Sequence, residues 1–215
     1  MELCDKSLYQ IIHGSPKHNM GPCKLNAHEK LTLACDVAEG MAYLHSRVPP
    51  IVHRDLKSHN VLQAKSGVLK ICDFGLVRTR NAGAGTPSYM APELFSGKPY
   101  NASVDVYAFG VLLCELFSGE QPYYGYDYTD LRRKVPLGER PELPRFDTPE
   151  DIRQLIKQCW DADPNRRPAF DAIVDTVDRV RDATPARSNC DMLDSMDEFG
   201  GGGDILDSLM MGNHK

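Results

Sequence analysis

Residues 51–62 read Ile-Val-His-Arg-Asp-Leu-Lys-Ser-His-Asn-Val-Leu, and the interpretation of the whole chain starts from this stretch. It places a carboxylate (Asp55), an ammonium group (Lys57) and a carboxamide (Asn60) within six residues. The first two and the last two residues of the stretch are apolar, and both pairs are predicted to be strands. Polar groups held at fixed spacing on a loop with buried support are typical of a functional site.

Two further motifs follow this stretch in order. Asp73-Phe74-Gly75 begins thirteen positions after Asn60, and Ala91-Pro92-Glu93 places Glu93 twenty positions after Asp73. Each motif alone is short, and its residues are common in loops. The ordered set H-R-D-x-K-x-x-N, D-F-G and A-P-E resembles the protein kinase signature.

The composition predicts a single globular core. A chain of 215 residues with 41% hydrophobic residues is long enough for one substantial core. The net charge of −5 arises near the end, where residues 188–215 contain six acidic residues and one basic residue. Lys and Arg do not interleave with aromatic residues along any element, so no nucleic-acid partner is predicted.

The seven cysteines are spread along the chain without a C-x-x-C pair. This odd number indicates neither a disulfide framework nor a zinc site, and it favours a reducing, cytoplasmic location. The spacing of His13, His18 and Cys23 matches no metal-ligand pattern, so residues 13–24 are predicted to be a loop. The longest apolar run, 106–117, carries Glu115 and is too short for a bilayer span.

Hydrophobic periodicity predicts a mainly α fold. Asn26, followed three residues later by Glu29, predicts a capped helix start, and Val37, Met41 and Leu44 form the core-facing stripe of that helix. Further helices are predicted at 103–117, 128–135, 148–160 and 169–182.

The runs 61–63 and 68–72 flank a short turn and predict a β-hairpin. This hairpin would bring Asn60, at the start of its first strand, beside Asp73, at the end of its second. We therefore expect a helical lobe with a small β-hairpin that carries the catalytic loop and D-F-G. The resemblance implies that this is the large lobe of the α+β two-lobed kinase fold.

The resemblance also predicts the domain limits. Residues 1–12 resemble the hinge between the two kinase lobes, so residues 1–183 would be the hinge and the C-terminal lobe, without the N-terminal lobe. The glycine-rich loop and the V-A-I-K lysine would belong upstream. Residues 184–215 are acidic and Gly-rich and are expected to be a disordered tail. Alternatively, the apolar residues of 204–210 would form one helical face that docks a partner.

The catalytic residues implied by the resemblance lie in and after the first motif. Asp55 would orient a substrate hydroxyl and accept its proton, and Lys57 would place positive charge near the transferred phosphate. Asn60 and Asp73 would ligate Mg²⁺ through hard oxygen atoms.

The resemblance implies an ATP site as well. The backbone of Glu2 and Cys4 would hydrogen-bond adenine, Ser7 or Asp5 would lie near the ribose, and Leu62 would form the apolar floor. Without the resemblance, these would be ordinary loop and core residues.

Two structural contacts are expected from the same resemblance. Asp105, a carboxylate in a helix that is apolar nearly all round, would accept backbone hydrogen bonds from the turn of His53 and Arg54. Arg167 would pair with Glu93 in a buried contact.

Thr79, between Arg78 and Arg80, is a candidate phosphorylation site, because a phosphate there would pair with Arg54 and order the segment. An unmodified threonine is the alternative.

Lys57, residues 85–93 and the C-W-x-x-D-P-x-x-R-P element at 159–168 resemble tyrosine-kinase-like serine/threonine kinases. We therefore predict a serine/threonine protein kinase acting on proteins with ATP and Mg²⁺. Transfer by the isolated lobe would be slow. The competing hypothesis is a non-catalytic, pseudokinase-like binding or scaffold module.

Overall fold

The computed structural model describes residues 4–74 and 85–186. Seven α-helices and one three-stranded sheet are found in these residues. The helices are α1 (Leu8–His13), α2 (Ala27–His45), α3 (Pro92–Phe95), α4 (Ser103–Ser118), α5 (Tyr128–Lys134), α6 (Glu150–Cys159) and α7 (Phe170–Ala183). The strands are β1 (Cys4–Ser7), β2 (Val61–Ala64) and β3 (Leu69–Ile71). The predicted mainly α fold class is confirmed.

Helix α4 lies at the centre of the core. Every residue from Val104 to Phe117 is buried, because the helix is apolar nearly all round. Helix α6 packs closely against it at Gly110, where an added Cβ would lie 2.7 Å from the Cβ of Cys159. Only glycine allows this approach.

Helix α2 packs against strand β3 of the sheet. The predicted cap is present: the Asn26 side chain accepts from the Glu29 amide, and the Glu29 carboxylate accepts from the Asn26 amide. The apolar stripe of α2 is buried and packs against α7. The Asp36 carboxylate accepts a 2.8 Å hydrogen bond from the Leu69 amide and so fixes β3 to the helix.

The predicted β-hairpin is confirmed, with β2 and β3 antiparallel and Val61 opposite Ile71. Strand β1 adds to the free edge of β2 and completes the sheet in the order β1-β2-β3. The strand predicted for Ile51-Val52 is wrong. The Ile51 amide instead donates to the Leu44 carbonyl and returns the chain to the end of α2.

The segment 13–24 is largely a loop, as predicted, with one 3₁₀ turn at Pro16–His18. In the described part of the chain, no helix is both long and apolar enough to cross a bilayer. Of the expected tail at 184–215, the part beyond residue 186 lies outside the described residues.

A buried ion pair joins the start of α3 to the segment before α7. Arg167 donates to both carboxylate oxygens of Glu93, at 2.6 and 2.9 Å, and both residues are buried. Arg167 also donates to the carbonyls of Asp161 and Ser103. The predicted pair is therefore confirmed, and the backbone carbonyls satisfy two further guanidinium donors.

We expect Arg167→Met to lower the free energy of unfolding by about 3–5 kcal/mol, because the Glu93 charge would stay buried without a partner. Urea unfolding at neutral pH measures the change. Arg145→Met is the matched control, since Arg145 pairs with Glu142 at 2.9 Å where both side chains are 73% exposed. That control should change stability by less than about 1 kcal/mol. Equal effects of the two substitutions would contradict the prediction.

Candidate active site

The loop at 51–62 is anchored by a fully buried carboxylate. Asp105 accepts hydrogen bonds from the His53 amide at 2.8 Å and the Arg54 amide at 2.7 Å. The Nε2 atom of His45 lies 2.9 Å from the same carboxylate. Arg54 has a left-handed backbone with φ of 70°, which a non-glycine residue adopts only when its surroundings hold it. The predicted role of Asp105 is confirmed.

The His53 ring connects this loop to the D-F-G motif. Its Nε2 atom lies 2.9 Å from the Cys72 carbonyl, and its ring meets Phe74 edge-on with centroids 5.2 Å apart. Asp73, between these two residues, has a positive φ of 63°. His53 therefore contacts the residues on both sides of Asp73 and holds the backbone around it.

Asp55 lies at the centre of a polar cluster. Its Oδ2 atom is 2.8 Å from Lys57 Nζ and accepts a hydrogen bond from the Asn60 amide group at 3.0 Å. Its Oδ1 atom accepts from both the amide and the hydroxyl of Thr86, each at 2.8 Å. The structure thus brings together three of the predicted site residues and adds a fourth, Thr86.

The electrostatics of this cluster favour the ionised carboxylate. Burial acts to raise the pKa of Asp55, but the hydrogen bonds and charge of Lys57 and the two bonds from Thr86 outweigh it. The pKa of Asp55 is therefore held below its ordinary value. A carboxylate in this state is a weak base but a well-oriented hydrogen-bond acceptor.

Thr86 lies in the run 85–93, and the sequence predicted no role for it. Its hydroxyl accepts from Lys57 Nζ at 2.6 Å while it donates to Asp55. Gly85 makes this approach possible, since its φ is 132° and an added Cβ would lie 3.1 Å from the Arg54 carbonyl oxygen. A small residue followed by a hydroxyl residue was the available clue.

The expected metal ligands lie at one end of the hairpin. The Cys72 amide donates to the Asn60 carbonyl at 2.9 Å, so Asn60 lies opposite the residue that precedes Asp73. The Asn60 amide nitrogen donates to Asp55, which leaves its side-chain oxygen for other contacts, and Asp73 is exposed. Two hard oxygen donors suit Mg²⁺, which usually retains water ligands. No three His, Cys, Asp or Glu side chains converge on a metal position within residues 4–74 and 85–186.

The expected nucleotide contacts lie on the sheet. Cys4 pairs with Ala64, and the half-buried Leu62 is opposite Ser7. The Ser7 hydroxyl accepts from the Gln10 amide at 3.2 Å and caps α1, which is a structural role that the S-x-x-Q pattern would have predicted. Glu2 lies outside the described residues.

A second buried carboxylate, Glu115 of α4, was not predicted to bear on the site. Its Oε1 atom accepts from the Ser58 hydroxyl and lies against His13 Nε2, each at 2.9 Å. Its Oε2 atom accepts from the Tyr89 hydroxyl at 2.6 Å. Glu115 therefore joins the loop, α1 and the segment after Thr86.

Thr79 lies outside the described residues. The Arg54 guanidinium, its expected partner, is buried and lies over the Tyr100 ring at 5.0 Å from the centroid.

The sequence of this chain is similar to those of known proteins. Residues 1–177 match the family described as protein tyrosine and serine/threonine kinase. Serine/threonine-protein kinase CTR1 of Arabidopsis thaliana is 39% identical over 195 residues, which cover 86% of this chain and 23% of that protein. A probable serine/threonine-protein kinase of Dictyostelium discoideum is 35% identical over 199 residues, covering 84% and 22% respectively. The chain thus spans less than a quarter of the length of these two relatives.

We expect Lys57→Met to raise the pKa of Asp55, because burial would then act with less opposing charge. Carbon-detected NMR titration of the Asp55 carboxyl group measures it. A depressed pKa in the folded state stabilises the protein above the unfolded pKa, and this contribution is lost as pH falls through the folded pKa. The stability difference between the two proteins should therefore be largest at neutral pH and shrink in acid.

Lys65→Met provides the control, since Lys65 lies in the exposed hairpin turn. It should leave the Asp55 titration unchanged. An Asp55 pKa that stays the same in Lys57→Met would show that Lys57 does not set it.

Proposed function

The chain belongs to the protein tyrosine and serine/threonine kinase family, and from that premise we propose that it transfers the γ-phosphate of ATP to serine or threonine hydroxyls of proteins. The observation that carries this proposal is the triangle of Asp55, Lys57 and Thr86, joined by contacts of 2.6–2.8 Å. The names of the relatives support the serine/threonine class. The element at 159–168 supports the tyrosine-kinase-like group.

In this proposal, Asp55 acts on the substrate hydroxyl. Its carboxylate orients the hydroxyl for attack and accepts the proton late in the transfer, when the oxygen has become more acidic. Lys57 supplies positive charge beside the position where negative charge develops on the transferred group. The low pKa of Asp55 suits orientation more than early proton removal.

Asn60 and Asp73 would hold Mg²⁺ through their side-chain oxygens. The bound metal–nucleotide complex supplies the phosphoryl group and neutralises its charge. The hydrogen bonds from Asn60 to the Asp55 carbonyl and carboxylate support this assignment, because they fix the amide so that its nitrogen faces Asp55.

We assign the adenine contact to the backbone of Glu2 and Cys4, with Leu62 beneath the base. The Ser7 hydroxyl is engaged in capping α1. The ribose contact of Ser7 or Asp5 stays a prediction. Slow transfer by the 215-residue chain alone also stays a prediction.

We further propose a kinase domain at 1–183 and a separate tail at 184–215 that is disordered or docks a partner. A cytoplasmic location is supported by the free thiols of Cys4, Cys23, Cys35, Cys72, Cys114 and Cys159.

Asp55→Asn should lower kcat for phosphorylation of a serine peptide by about 10²–10⁴-fold, because the proton acceptor is lost. Nucleotide binding should remain near the wild-type value. Asp73→Asn should instead weaken Mg²⁺-dependent nucleotide binding. Radiolabelled phosphate transfer and fluorescent-nucleotide titration on the full-length protein measure the two effects.

Asp175→Asn, an exposed carboxylate of α7, is the control and should change neither quantity. Wild-type transfer by Asp55→Asn would contradict the assigned role of Asp55. Absence of transfer by the wild type, with a partner still bound, would favour a scaffold module.

Thr86→Val should lower kcat by more than it changes KM for ATP, since Asp55 would lose the hydroxyl hydrogen bond and Lys57 would lose its acceptor on Thr86, while the nucleotide contacts stay in place. Thr86→Ser should restore most of the activity. Steady-state kinetics with a serine peptide separate the two constants. Equal activity of the Val and Ser variants would show that the hydroxyl has no positioning role.

A further inference from the structure

A cavity of about 550 Å³ lies between the end of α2, the start of α4 and the segment before α7. Its wall is largely apolar and includes His45, Pro50, Val52, Val106, Pro168 and Ala169. The volume falls within the range of small-molecule sites in proteins, about 300–1,000 Å³. The described residues that line the cavity include none of the proposed catalytic, metal-binding or nucleotide-binding residues. It is therefore separate from the proposed transfer site.

The charged and ionisable groups in the wall of this cavity are already engaged inside the protein. Arg167 forms part of the wall, but its fully buried guanidinium donates to both carboxylate oxygens of Glu93. The Nε2 atom of His45 lies 2.9 Å from the Asp105 carboxylate. A charged ligand would therefore be desolvated without a partner of opposite charge, which is unfavourable. The wall favours a neutral ligand.

Two polar groups at the start of α4 also line the cavity, and both offer hydrogen-bond donors. The Asn101 side-chain oxygen accepts from the Ser103 amide at 2.9 Å, which leaves the side-chain nitrogen of Asn101 for other contacts. The Ser103 hydroxyl is buried and makes no hydrogen bond within the described part of the chain. A buried hydroxyl without a partner is uncommon in native proteins. Since this hydroxyl turns about a single bond, an acceptor inside the cavity can satisfy it.

We propose that this cavity binds a small, neutral organic molecule that has an apolar body and a carbonyl oxygen, such as an aryl ketone, ester or amide. The apolar body packs against the valine, proline and alanine side chains of the wall. The carbonyl oxygen accepts hydrogen bonds from the Ser103 hydroxyl and the Asn101 side-chain nitrogen. The site and its ligand do not depend on the kinase function proposed above.

The wall is suited to binding without a large loss of conformational freedom. Pro50 and Pro168 have backbones restricted by their rings. Val106 belongs to the buried helix α4, and Val52 directly precedes His53, whose amide is held by Asp105. A wall that is already ordered leaves more of the contact free energy for affinity.

The test uses the full-length protein and two probes of matched shape, acetophenone and isopropylbenzene. Acetophenone carries the carbonyl acceptor, whereas isopropylbenzene has a methyl group in place of the oxygen. NMR titration followed at the methyl groups of Val52, Val106 and Ala169 gives Kd for each probe and locates it in the cavity. Because isopropylbenzene is the more hydrophobic probe, each probe is compared between protein variants. We expect saturable shifts of these methyl signals with both probes in the wild-type protein.

Ser103→Ala and Asn101→Asp remove the two donors. The carboxylate introduced by Asn101→Asp still accepts from the Ser103 amide, so the start of α4 keeps this hydrogen bond. Each substitution should weaken acetophenone binding by about 2- to 12-fold, which is the value of one hydrogen bond, and should change the Kd of isopropylbenzene by less than about 2-fold.

Ala169→Leu places a larger side chain in the wall and should abolish binding of both probes. Ala169 is exposed, so the substitution should leave the fold intact, and thermal unfolding checks this. Ala183→Leu, at the exposed far end of α7, is the matched control and should leave both Kd values unchanged.

Selective loss of acetophenone binding in Ser103→Ala and Asn101→Asp would support the carbonyl site. Absence of saturable methyl shifts in the wild type, or an equal effect of the two donor substitutions on both probes, would overturn it. Shifts that persist in Ala169→Leu would place the probes outside the cavity and would also overturn it. Phosphate transfer is measured separately, so a failure of this proposal and a failure of the proposed function are distinguishable.

Discussion

The buried carboxylate of Asp105 is the constraint on which the site depends. An unpartnered charge in such a core would cost several kcal/mol, so Asp105 must be surrounded by donors. Two of these donors are the amides of His53 and Arg54, and both reach the carboxylate while Arg54 adopts a left-handed conformation. The requirement to satisfy one buried charge therefore fixes the start of the catalytic loop.

Helix α4 carries a second buried carboxylate, Glu115, about 15 Å further along its axis. Asp105 holds the beginning of the loop, whereas Glu115 holds Ser58 in its second half and Tyr89 beyond Thr86. Both charges project from the most buried helix of the described chain. The rest of this helix is apolar because it is buried. Asp55, Lys57 and Thr86 are then brought together between two rigid attachments.

The sequence predicted much of the fold and part of the site. The helix cap at Asn26, the buried helix α4 and the hairpin follow from local patterns, and the fold has all three. The strand at Ile51-Val52 was a wrong inference from apolar character, because the Ile51 amide bonds to the end of α2 instead. Thr86 and Glu115 were not assigned roles, since each acts through partners far away in the chain. The roles of Asp55, Asn60 and Asp73 as catalytic base and metal ligands stay proposals.

The sequence by itself determined the elements whose causes lie within a few residues: helix periodicity, caps, the hairpin turn and the order of the motifs. The tertiary structure alone decided which side chains meet, such as Thr86 with Asp55, Ser58 with Glu115 and Tyr9 with His59. The physical reason is range. Backbone propensity and capping act between neighbours in sequence, whereas a hydrogen bond or ring contact between distant residues exists only after the packing of the helices has fixed their separation.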